Sequence, residues 1–169
     1  MRLITAIFFT GLAFSTISQT PPVAKSVKTI TAEAKQSLVP IIHGGRGNAQ
    51  DGTGTGFAIS KDMIATCLHV IGEARPIHVR TAKGKKLHVL SVYSSDRKRD
   101  LAILKIKDGD LKPLPLGNSN TITQGDPVIA LGNPMGLTSS VVQGVLSAHR
   151  EMELGIMLQL AIPVEPGNS

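Results

Sequence analysis

The sequence predicts an all-β protein, and three observations carry that reading. From Leu38 onward, short apolar runs are punctuated by Gly, Asn, Asp and Pro at intervals of about ten residues, the spacing of a barrel or sandwich. Alternation within the runs is loose, as in strands curled into barrels where neither face is wholly solvated. No strong amphipathic helical pattern follows any run, which argues against alternating strands and helices, and no fixed-period repeat is visible. With 169 residues, 41% of them hydrophobic, the chain is long enough to bury one core.

Taken in order, the elements begin with a targeting signature. Arg2 supplies a positive start, residues 3–14 are almost uninterruptedly apolar, and Thr16 and Ser18 bracket a cleavage position. Residues 1–18 are therefore expected to be a signal peptide and the mature chain to begin near Gln19. The apolar run falls short of the roughly 20 residues that span a bilayer, so no stable membrane anchor is expected after cleavage. An exported protein follows, periplasmic or secreted. Residues 19–37 read as a tether or short helix, with Val27, Ile30 and Ala34 on one possible helical face. Strands are predicted over 38–43, 56–60, 63–66, 77–81, 87–93, 101–106, 127–131, 140–148 and 156–161. A Gly-rich loop is expected over 44–56, a tight turn at Lys61 and Asp62, and a longer connection over 111–126 joining two halves.

Composition excludes several function classes. Cys67 is the single cysteine, so no internal disulfide can form; a small apolar role beneath a strand end is favoured over a reactive thiol. The net charge of +6 includes two clusters, Lys83, Lys85 and Lys86, then Arg97, Lys98 and Arg99. With one Tyr, no Trp and no binding motif, these are read as solvated turns, and no nucleic-acid partner is expected.

Acyl transfer from a peptide requires a nucleophile, a base to take its proton and a carboxylate to hold that base in the right tautomer. His69 follows the apolar run at residues 63–65. Asp100 opens the run Leu101-Ala102-Ile103-Leu104, where neighbouring packing is expected to exclude water and strengthen its bond to an imidazole. Ser169 ends the turn sequence Pro166-Gly167-Asn168-Ser169, in which the Gly167 and Ser169 amides are the expected oxyanion donors. Each residue alone has an ordinary structural reading. Their order, His then Asp then Ser on an all-β pattern, is that of the barrel-type serine proteases and not of subtilisin or the α/β-hydrolases.

With these blocks in register, residues 54–169 resemble the protease domain of the HtrA/Deg family of trypsin-like serine proteases. The match runs through Gly54-Thr55-Gly56-Phe57-Ala58-Ile59, the histidine block at 66–71, the aspartate block at 100–106, Leu131-Gly132-Asn133-Pro134, Gly144-Val145-Leu146-Ser147 and the serine loop at 166–169. The resemblance implies two antiparallel β-barrels of chymotrypsin type, with His69 and Asp100 from the first and Ser169 from the second. It further implies a serine endopeptidase acting on protein or peptide substrates, unfolded proteins among them, without metal or cofactor; a homo-oligomer stays open. Two departures stand out: Cys67-Leu68 before the histidine, and Leu160-Ala161 where many members carry Thr-Asp. Because the family continues past the serine, the protease domain over 38–169 is expected to have an incomplete second barrel and, as written, little activity. Two alternatives remain: a catalytically inactive protease-like binding module, and a metal-dependent hydrolase using His43, His69, His78, His88 or His149.

Overall fold

The computed structural model describes residues 25–43, 52–72, 77–81, 83–132 and 140–163. Along them run α1 (Val27–Ala34), β1 (Leu38–His43), β2 (Gly52–Ala58), β3 (Met63–Cys67), α2 (Leu68–Ile71), β4 (Ile77–Arg80), β5 (Lys86–Asp96) and β6 (Leu101–Ile106). After a single 3₁₀ turn at Ser119–Thr121 come β7 (Pro127–Gly132), β8 (Ser140–Met152) and β9 (Gly155–Ala161). The all-β expectation holds. Strands β1 to β6 close into a barrel in the order β1-β2-β3-β6-β5-β4, and β7, β8 and β9 form a second, three-stranded antiparallel sheet.

The barrel is filled from inward-facing positions. Val39 and Ile41 on β1, Ile77 and Val79 on β4, and Ala102, Leu104 and Ile106 on β6 recur every second residue and are buried, as the pleat requires. Strand β3 departs from this period: Ile64, Ala65 and Thr66 are all buried. The Thr66 hydroxyl is accommodated there by donating to the Thr55 carbonyl at 2.9 Å. Gly56 sits against a closely packed part of the barrel wall. A Cβ at that position would lie 2.7 Å from Ile64 Cγ2 and 2.9 Å from Ile41 Cδ1.

Several boundaries differ from the sequence expectation. Strand β2 starts at Gly52, inside the predicted Gly-rich loop, because its backbone pairs with β1 as far as His43 opposite Gly52. Glycine carries no side chain to register in a hydrophobic pattern, yet its amide and carbonyl serve a ladder as well as any other residue's. Strand β5 reaches Asp96 through two register shifts against β6, and β8 runs on to Met152 to form a hairpin with β9. Helix α1 occupies part of the tether, capped by the Ser26 hydroxyl, which accepts from the Thr29 amide at 3.1 Å. Of its expected apolar face, Ala34 is buried while Ile30 stays exposed.

The connection between barrel and sheet is held by its backbone. The Leu111 amide donates to the Lys61 carbonyl and the Leu114 amide to Ala58, while Gly125 and Asp126 exchange backbone bonds with Leu146 on β8. Leu146 is fully buried and anchors the second sheet.

Gly56→Ala is expected to destabilise the protein by about 1–3 kcal/mol through overpacking, since two buried isoleucines must move. Gly117→Ala, where an added Cβ meets nothing within 4 Å, is expected to change stability by less than about 0.5 kcal/mol. Urea unfolding of the two variants side by side checks both values.

Candidate active site

The site is built where β3 meets β6. Their antiparallel register sets Thr66 opposite Ala102 and Cys67 opposite Leu101, so the next step brings Leu68 to Asp100. The Leu68 amide donates to the Asp100 carbonyl at 2.9 Å, extending the ladder by one bond. At that point the chain leaves β3 and turns into α2, whose first amides have no intrahelical acceptors. Cys67, at the N-cap, offers no side-chain bond. The Asp100 carboxylate supplies it instead: Oδ1 accepts from the His69 amide at 2.8 Å.

Oδ2 of the same carboxylate lies 2.5 Å from His69 Nδ1. An ionised carboxylate can only accept, so the proton of a neutral imidazole resides on Nδ1 and its free lone pair on Nε2. The two bonds from His69 hold the Asp100 carboxyl below its ordinary value of 3.8, the ring bond contributing most. Asp100 adopts φ 52°, a left-handed conformation that aspartate tolerates better than most residues. Its environment corrects one expectation. Among the described residues the carboxylate is only partly covered: the side chains of His69 and Asp100 are 57% and 47% exposed.

Sequence reasoning missed one residue here. Arg99, read as part of a solvated turn, donates through Nη1 to Asp96 Oδ2 at 2.7 Å and through Nη2 to the Leu154 carbonyl at 3.1 Å. It thereby ties the turn that presents Asp100 to the β8–β9 hairpin of the second sheet. Nothing local in sequence signals this, because the acceptor lies 55 residues away.

Cys67 packs its half-buried side chain against the barrel core, as expected. Burial raises its thiol pKa, and the negative charge of Asp100 raises it further. Among the described residues, Cys67, His69 and Asp100 form the group whose donor atoms could converge on one cation. His78 and His88 face each other across β4 and β5 with ring centroids 5.8 Å apart, and His149 lies on β8. Gly167 and Ser169 lie outside the described residues, as does the side chain of His43.

Comparison with known proteins bears on this geometry. The family model described as the trypsin-like peptidase domain matches residues 54–169. A Chlamydia pneumoniae protein named "Probable periplasmic serine endoprotease DegP-like" is 41% identical over 122 residues, covering 69% of this chain and 25% of its own length. A Pseudomonas fulva protein of the same name is 35% identical over 131 residues, covering 75% and 27%. Among solved structures, a serine endoprotease from Yersinia pestis superposes with a TM-score of 0.73 at 33% identity, over 87% of this chain and 52% of that one. The HtrA-type protease AlgW with a tripeptide gives 0.74 at 27% identity, over 85% and 48%. The chain thus spans about a quarter of the length of the curated relatives it matches. With a matching family model, a closed six-stranded barrel beside a partial second sheet, and an Asp-held histidine at the β3–β6 junction, the chain belongs to the trypsin-like peptidases, as an HtrA-like serine protease.

Proposed function

We propose that the protein is a periplasmic serine endopeptidase in which His69, Asp100 and Ser169 act as a triad. The observation that carries this reading is the single carboxylate of Asp100 gripping both the amide and Nδ1 of His69. Such a grip fixes the tautomer and the direction of the ring, leaving Nε2 as the base. Ser169 Oγ attacks the scissile carbonyl while Nε2 takes its proton. The Gly167 and Ser169 amides donate to the developing oxyanion. His69 then returns the proton to the leaving amine, which leaves an acyl-enzyme that water hydrolyses by the same route in reverse. No metal or cofactor enters these steps. Protein substrates, unfolded chains among them, are the proposed targets, reached after export directed by residues 1–18, with the protease domain beginning at Leu38.

A fluorophosphonate probe that labels activated serines tests the assignment on protein purified from its source. One adduct is expected in the intact mass, absent from Ser169→Ala and His69→Ala. An unlabelled wild-type protein would favour the inactive binding-module reading instead.

Asp100→Asn is expected to lower kcat by about 10⁴-fold, because an amide can donate to Nδ1 and so stabilises the wrong tautomer. Steady-state peptide hydrolysis by wild type and variant checks this outcome.

Stability carries a separate signature. The native Asp100 carboxyl titrates below its ordinary 3.8, so the pairing contributes fully above that value and is lost as pH falls through the lowered native one. Asp100→Asn is therefore expected to flatten the acid limb of the stability curve as pH falls through the ordinary carboxyl value of 3.8 and below it, read by urea midpoints along that descent.

A further inference from the structure

Cys67 takes no part in the proposed chemistry, yet it stands at the end of β3 against the two residues that do. Its Sγ, a ring nitrogen of His69 and a carboxylate oxygen of Asp100 all lie within 4.8 Å of one another. We propose that Cys67, His69 and Asp100 form an inhibitory site for a zinc-class divalent cation. The site itself stands on this geometry; its inhibitory consequence rests on the triad reading above.

The donor set suits such an ion. Thiolate, imidazole and carboxylate are the three ligand types that zinc takes, and three protein ligands leave one position for water. With zinc bonds of about 2.0–2.3 Å, two ligand atoms of a tetrahedral site stand roughly 3.5 Å apart. The His69–Asp100 pair, 2.5 Å apart through Nδ1, opens to that separation and Cys67 Sγ draws toward it by side-chain rotation, with the backbone left in place. That backbone is already fixed: Cys67 pairs with Leu101 across the β3–β6 ladder, and the Leu68 and His69 amides are both bonded to Asp100. An entry path exists too, because the His69 and Asp100 side chains are each about half exposed.

Binding proceeds by exchange. A thiol coordinates as its thiolate, so the cation displaces the sulfur's proton to solvent and forms a sulfur–metal bond without change of oxidation state. Occupancy silences the base whichever ring nitrogen coordinates. Coordination through Nε2 consumes the lone pair that would take the serine's proton. Coordination through Nδ1 moves the ring proton to Nε2, which then has no lone pair to offer the serine. Cys67 thus places a metal-sensing sulfur beside a base that needs no metal.

Titration of the chain with Co²⁺ alone, followed by competition with Zn²⁺, tests the site directly. A saturable one-to-one thiolate-to-cobalt absorption band is expected, bleached by Zn²⁺, abolished by Cys67→Ala and weakened in affinity by about tenfold or more in His69→Ala. The exposed His69 side chain makes its truncation harmless to the core, and circular dichroism verifies that both variants fold. A wild-type chain without the band, or a band of unchanged affinity in His69→Ala, would overturn the site. Because the band owes nothing to proteolysis, a protein without peptidase activity would overturn the proposed function and leave the site standing. In the whole protein, Zn²⁺ is expected to inhibit peptide hydrolysis, with about tenfold more required for half-inhibition of Cys67→Ala; equal zinc sensitivity in the two would overturn the inhibitory role.

Discussion

Most of the site's geometry depends on the register between β3 and β6. Sliding β6 by one residue would turn Ala102, Leu104 and Ile106 out of the barrel, and that apolar burial is what opposes any slip. Barrel closure removes free edges and leaves no alternative pairing for either strand. Once the register is set, Asp100 must fall opposite the first residue of α2. A side chain placed by core packing thereby comes to cap the helix and to hold the imidazole that the helix carries.

This economy has a structural cost, visible at Asp100 itself. Its left-handed backbone belongs to a turn that must reverse the chain between β5 and β6 while aiming a carboxylate back at α2. The turn is braced twice by Arg99, once to Asp96 and once to the Leu154 carbonyl on the second sheet. The presentation of Asp100 is therefore linked to the position of the β8–β9 hairpin.

Cys67 shows how two demands can share one position. Packing beneath a strand end calls for a small apolar side chain, and a thiol fills that role. The same sulfur, set beside a histidine and a carboxylate, is also a soft ligand. Burial and the Asp100 charge raise its thiol pKa, and a bound cation would displace its proton.

Much of this architecture was legible in the amino-acid order alone. Punctuated apolar runs marked every strand of both sheets; in the barrel this is because burial imposes its period on side chains wherever the chain passes through a core. His69 and Asp100 could be named because each sits at the end of such a run, and chain order made the pair worth joining with Ser169. The glycine-rich start of β2 was not legible, since its pairing uses backbone groups common to all residues. The Arg99 brace and the half-exposed state of the dyad were equally hidden. Side-chain pattern records which residues a core requires; only folding decides which distant carbonyl an exposed guanidinium reaches, and how much water a surface carboxylate keeps.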